Sequence, residues 1–293
     1  MLALLRWISR LPLGLLHAWG AALGWAAYAG SSSYRRLCRR HAALAGLTRA
    51  QQRAAVAQAG RLAAELPWLW LGPAARPIER WCRWEGDALI DQALQAGKGL
   101  VLLTPHMGSF EVCAQAYAER FGARRPMTAL YRPARQPWLR ELEKTARDRP
   151  GLATAPASLA GVRQMIRALR RGETIGLLPD QVPPEGMGVW APFFGQPAYT
   201  MTLATRLLLQ TGASLLLMWA ERLPGARGWV LHVSEPAAAL PREAASDEAL
   251  MAACAAFVNA EMERLILQCP EQYLWGYNRY RRPRDTLPLA AGA

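Results

Sequence analysis

The chain has 293 residues, 52% of them hydrophobic, enough to bury a sizeable core in one large α/β domain with appendages. Its 35 basic and 22 acidic residues leave a formal charge of +13, so phosphate, anionic lipid or acidic protein are the partners its charge favours. Five cysteines (Cys38, Cys82, Cys113, Cys254 and Cys269) are odd in number and form no CxxC pair, so neither a disulfide framework nor a zinc site is indicated and a reducing, cytoplasmic setting fits best.

Residues 11–30, LPLGLLHAWGAALGWAAYAG, carry no formal charge over about the length a helix needs to cross a bilayer. Arg6 and Arg10 precede the segment, and Arg35, Arg36, Arg39 and Arg40 follow it. The denser cluster predicts that the body lies on the cytoplasmic side. Pro12 and the interior glycines weaken the helix, so spanning the bilayer and lying in its interface are both open, beside a plain buried helix rich in Gly and Ala. The chain divides into an N-terminal membrane-anchor segment, 1–34, and a body, 35–293.

Residues 42–71 predict one or two helices ending near Leu66-Pro67-Trp68, as a lid or packing element, with a break at Gly72-Pro73. Trp68, Trp70, Trp81 and Trp84 suit either a lipid groove or a core. From residue 88 short apolar runs alternate with helical patterns. Strands are predicted at 99–104, 127–131, 174–179, 214–220 and 229–234, and helices at 109–121, 137–148, 158–171, 200–211 and 246–268. The fold class is α/β, a mixed β-sheet covered by helices.

The stretch LVLLTPHMGSFEV ends a buried strand at Thr104, turns through Pro105 and Gly108 with His106 between them, and starts a helix capped by Ser109 with Glu111 in its first turn. On one continuous helix five residues would separate His106 from Glu111, so their meeting requires that turn. A neutral imidazole can take the proton of an alcohol as it attacks an acyl carbonyl, and a carboxylate can hold the ring in the right tautomer. The competing reading has His106 satisfying buried backbone groups and Glu111 favouring a helix N-terminus. His17, His41 and His232 have no acid five residues later. Cys113, close to His106, suits a small buried thiol, and with no Ser or Cys marked as a nucleophile, direct transfer is simpler than a covalent acyl-enzyme. Asp180 follows the apolar strand TIGLLP, where it either reaches a crevice or forms a turn before Pro183-Pro184; Gln181 opens the Pro- and Gly-rich loop after it, and Thr200 suits an N-cap as well as a site.

Four blocks, HMGSFE, YRPARQPWL, LLPDQVPPEGMGVWAPFFGQPAYT and YLWGYNRYRRP, resemble the lipid A biosynthesis acyltransferases in order and spacing over roughly residues 95–284. The resemblance implies a glycerol-phosphate-acyltransferase-like fold for the 35–293 acyltransferase domain. It implies secondary acylation of a phosphorylated glycolipid, a lipid A precursor, on the cytoplasmic face of the cell inner membrane. Acyl carrier protein would be the donor, with no cofactor, no metal and no nucleic acid. Residue by residue it makes His106 the general base, Glu111 its partner where the best-known members have Asp, and Arg147 the cation at the developing oxyanion, with Arg149 as a substitute. Arg132, Asp180, Gln181 and Thr200 would bind substrate. Arg124, Arg125 and the basic cluster at 279–284 would steer acidic partners to the site. Other acceptors (another glycolipid, an aminolipid or a lysophospholipid) remain alternatives, as does a membrane-tethered protein that binds anionic lipid without catalysis.

Overall fold

The computed structural model describes residues 2–72, 76–131, 136 and 149–283, so Arg132, Arg147 and the predicted helix at 137–148 lie outside the described residues. Four helices open the chain: α1 (Leu2–Ile8), α2 (Leu13–Gly30), α3 (Ser32–Leu44) and α4 (Arg49–Leu71). A capping box starts α4, with the Gln51 N–H donating to Thr48 Oγ1 and the Thr48 N–H donating to Gln51 Oε1. The helix runs through Pro67, where the sequence predicted its end. Proline removes one N–H from the ladder, but Trp68 and Leu69 just beyond it are buried and keep the packed face going.

The uncharged N-terminal segment is a docked helix. Its buried face, Leu13, Leu16, His17, Gly20 and Gly24, packs on α4. The two backbones touch: a Cβ on Gly60 would fall 2.0 Å from the Gly20 carbonyl oxygen, and one on Gly24 would fall 2.4 Å from that of Val56. Among the described residues no helix is long and apolar enough to cross a membrane. On its outer side α2 exposes Leu15, Trp19 and Leu23, four residues apart and therefore in one stripe.

The body holds strands β1 (Cys82–Glu85), β2 (Leu100–Leu103), β3 (Met127–Tyr131), β4 (Leu152–Pro156), β5 (Thr174–Leu177), β6 (Gly188–Phe193), β7 (Gln196–Met201), β8 (Ser214–Arg222) and β9 (Trp229–Ser234). Its described helices are α5 (Asp87–Gln95), α6 (Phe110–Arg120), α7 (Leu159–Arg170), α8 (Leu203–Thr211) and α9 (Asp247–Ile266). Seven strands form one sheet in the order β1-β9-β8-β2-β5-β3-β4, and β6 pairs with β7 as a separate antiparallel hairpin. The run β8-β2-β5-β3-β4 is parallel. The sheet is mixed because β9 pairs antiparallel with β8 and parallel with β1.

Central β2 is buried throughout, and its alternating side chains enter two cores. Val101 and Leu103 join residues of α7, α8 and α9, whereas Leu100 and Leu102 join residues of α5 and α6, so helices cover both faces. All five predicted strands form. The sequence missed β1, β4 and the hairpin, which are short and interrupted by polar residues or prolines. One correction follows at the hairpin: Thr200 belongs to β7, and α8 begins at Leu203 after Thr202, so Thr200 caps no helix.

Candidate active site

Parallel strands β2 and β5 are in register at Leu103↔Leu177, and three residues beyond each member of that pair stand His106 and Asp180. Polar groups just past the carboxyl ends of adjacent parallel strands face the crevice where α/β sheets place their sites. The His106 Nδ1–H donates to Asp180 Oδ1 at 2.6 Å and the His106 backbone N–H donates to Oδ2 at 2.9 Å, so one carboxylate fixes both the ring and its main chain. Nε2 makes no hydrogen bond among the described residues. The Phe110 ring packs edge-on against the imidazole, centroids 5.0 Å apart.

Asp180 is 1% exposed. Burial opposes its ionisation, but the charge of His106, the two hydrogen bonds from it and the Arg279 guanidinium outweigh that penalty and hold the carboxyl below its ordinary value. Arg279 is 2% exposed. It donates to the Tyr199 carbonyl (2.7 Å), Thr200 Oγ1 (2.8 Å) and Asn259 Oδ1 (3.2 Å), so this member of the basic 279–284 cluster is a buried tie and not a steering charge. Thr200 is fully buried. Its hydroxyl donates to the Ala198 carbonyl and accepts from Asn259 Nδ2 and Arg279.

Glu111 stands in the first turn of α6, where its Oε2 accepts a hydrogen bond from Trp70 Nε1 at 3.1 Å. The carboxylate on His106 Nδ1 is thus that of Asp180, the partner role that the sequence spacing gave to Glu111. Ser109 takes the N-cap position of α6, but its hydroxyl makes no capping bond and donates to Glu65 Oε1 at 2.7 Å. Gln181 is half-buried beside Asp180, and the next residue is pinned by the Val182 N–H donating to Tyr277 Oη at 2.9 Å. Arg149 pairs with Glu119 in the last turn of α6 and donates to the Leu69 carbonyl, so it sits at the far end of that helix from His106. Cys113 is buried in an apolar setting that pushes its thiol pKa up, as expected of a packing residue.

The chain segment around Gln272 stitches the site together. Tyr273 bridges Met107, the Leu274 N–H donates to the His106 carbonyl at 3.3 Å, and the Gly108 N–H donates to the Gln272 carbonyl at 2.9 Å. Phe110, which packs on the imidazole, also lines a narrow apolar cleft of about 40 Å³ between α6 and the sheet, with Thr104, Met127, Leu178 and Met218 among its other walls.

The profile of the family described as bacterial lipid A biosynthesis acyltransferase matches residues 1–282. The chain belongs to this family. It is 26% identical over 230 residues to the lipid A biosynthesis lauroyltransferase of Escherichia coli K12, covering 78% of this chain and 70% of that protein. It is 26% identical over 217 residues to the lipid A biosynthesis palmitoleoyltransferase of the same organism, covering 74% and 66%. A lipid A biosynthesis acyltransferase of Haemophilus influenzae is 27% identical over 226 residues, covering 76% and 67%. As a member of this acyltransferase family, the chain carries HMGSFE with Phe110 in the wall of the apolar cleft.

Sequence reasoning passed over Glu65 and Arg222 and took Arg279 for a steering charge. A signal for the first was present: Glu65 is the only acidic residue before Glu79, and it stands in the otherwise apolar run AAELPWLWL.

Proposed function

We infer that the protein transfers a fatty acyl chain from the thioester of acyl carrier protein to a hydroxyl of a lipid A precursor, at the cytoplasmic face of the inner membrane. The observation that carries the reading is His106, held through Nδ1 by buried Asp180 with Nε2 left for chemistry and packed on Phe110, which lines an apolar cleft, in a chain of this family.

The acceptor hydroxyl gives its proton to Nε2 as its oxygen bonds to the acyl carbonyl carbon. The carbon–sulfur bond then breaks, and the imidazolium returns the proton to the departing thiolate, leaving an ester and a free thiol. Asp180 keeps the proton on Nδ1 and stabilises the imidazolium between these steps. Arg147 carries the oxyanion, a task suited to an always-charged guanidinium. Glu111 and Arg132 serve the acceptor side, and the acyl chain lies in the cleft past Phe110. Ser109 is fully buried and bonded to Glu65, which favours direct transfer over an acyl-enzyme.

The apolar stripe of α2, extended by exposed Leu4 and Trp7 of α1 and flanked by Arg6 and Arg10, suits a helix pair lying on an anionic membrane surface. The test is incubation of the detergent-solubilised protein with labelled acyl carrier protein thioester and a lipid A precursor bearing only its primary chains. Mass spectrometry should show one added acyl group. Label recovered only on another lipid acceptor, or no transfer at all, would reject the assigned substrates.

A further inference from the structure

Behind the turn at 106–109 lies a buried charged cluster that touches none of the reacting groups. Glu65 of α4 and Arg222 at the end of β8 are paired twice, Arg222 Nη2 to Oε1 at 2.6 Å and Nε to Oε2 at 2.9 Å, and both are almost completely buried. The pair reaches two consecutive residues of the turn. Arg222 Nη2 donates to the Gly108 carbonyl at 3.0 Å, and Glu65 Oε1 accepts from the Ser109 hydroxyl. His17 Nε2 of α2 donates to Glu65 Oε2 at 3.1 Å, and Arg222 Nη1 donates to Gln58 Oε1 at 3.0 Å.

Ion pairs this deep are a poor route to stability, because an apolar pair of equal volume often does as well. What this pair supplies is direction: a donor for one turn carbonyl and an acceptor for the next hydroxyl. The turn needs such fixing. Gly108 is left-handed at φ +58°, and a Cβ there would fall 1.9 Å from the Ala220 carbonyl oxygen, so its backbone is pressed directly against β8. Two residues earlier His106 must meet both oxygens of Asp180.

We propose that Glu65 and Arg222 are positioning residues for His106, clamping the turn at Gly108 and Ser109 so that the imidazole stays on Asp180. The inference rests on the reading of His106 as the base. Burial opposes charge on Glu65, yet the Arg222 charge and the hydrogen bonds from Arg222, His17 and Ser109 hold its carboxyl below the ordinary range, so the clamp is ionised at neutral pH.

The test uses Ser109→Ala, which removes the Glu65 link to the turn, and the acceptor of the Trp229 Nε1–H with it, while leaving the Glu65–Arg222 pair and the Arg222 bond to Gly108 whole, and Glu65→Gln, which keeps the shape and removes the charge. Tyr117→Phe is the control, since it deletes a buried hydrogen bond to Thr174 on the same helix as Glu111 but away from the turn. Two readouts are followed in folded protein: the low-field proton resonance of the His106 Nδ1–H, assigned by its loss in His106→Ala, and the separate values of kcat and KM. Both turn variants should shift or broaden the resonance and lower kcat by about 10- to 100-fold, the effect of a small misplacement of a reacting group, with KM near that of the wild type. The control should lower the melting temperature and alter neither readout. An unchanged resonance and unchanged kcat in both Ser109→Ala and Glu65→Gln would overturn the proposal, and if Glu65→Gln fails to fold, Arg222→Lys, which keeps the charge and loses the guanidinium fork to Glu65 and Gly108, is read in its place. The resonance is read without substrate, so a wild type that shows it but transfers no acyl chain would reject the proposed function while leaving the clamp to be judged on the resonance alone.

Discussion

His106 and Asp180, 74 residues apart in sequence, meet at 2.6 Å because each stands three residues past a paired position on neighbouring parallel strands. The same carboxylate also takes the His106 main-chain N–H, which fixes the carboxylate against the turn while its other oxygen holds the ring.

This geometry ranks the two acidic residues. Asp180→Asn should lower kcat by roughly 10²–10⁴-fold, because an amide no longer enforces the tautomer with the proton on Nδ1. Glu111→Gln, whose carboxylate accepts from Trp70 Nε1, should cost less. Steady-state rates of both variants at saturating substrate check this, and an inverted order would return the orienting role to Glu111.

Two buried carboxylates contribute to the loss of stability in acid. Asp180 and Glu65 both have folded-state pKa values lowered relative to the unfolded chain. Their contribution is therefore fully present above the unfolded values of about 4 and is lost as pH falls through the lower folded values. Denaturant midpoints measured between neutral pH and pH ~3 should drop for the wild type, and Asp180→Asn should show a shallower decline over the same range.

Helix crossing at Gly60 is the tightest point of the N-terminal unit. Alanine gains up to about 1 kcal/mol in helix propensity, but its Cβ would overlap the Gly20 carbonyl oxygen, and overpacking typically costs about 1–3 kcal/mol. No rotamer relieves a clash between backbones, so overpacking wins. Gly60→Ala should unfold at lower denaturant, and an unchanged midpoint would mean that α2 is not held as described.

Membrane attachment divides into apolar and charged parts. Trp19→Ser and Leu23→Ser remove exposed apolar area, Leu23 being 65% exposed, without touching the face packed on α4. Co-sedimentation with anionic vesicles should weaken for this pair at every salt concentration, whereas the wild type's binding should fall in part as salt screens its basic residues. Equal binding by variant and wild type would locate the membrane surface elsewhere.

Much of this arrangement was legible in the sequence. The strand-turn-helix around His106 followed from LVLLTPHMGSFEV, and all five predicted strands form because each is a run of apolar residues bounded by turns. The partner of His106 was harder to read. Spacing favours near neighbours such as Glu111, whereas Asp180 is delivered by the register of β2 with β5, a relation that no local pattern encodes. Burial was equally hidden: Arg279 looked like one of several surface arginines, yet three acceptors and the Phe193 ring surround it. The α2 segment left spanning, interfacial and buried readings open in the sequence, and the glycines that weaken a spanning helix are the residues that let it lie against Gly60.

The central claim, that His106 is the base for acyl transfer, is tested most directly by the rate of labelled acyl transfer to the lipid A precursor by His106→Ala at saturating donor and acceptor. The variant should fold, as judged by its circular dichroism and cooperative melting, and its kcat should fall by about 10²–10⁴-fold. Transfer by the folded variant at a rate close to the wild type would contradict the account.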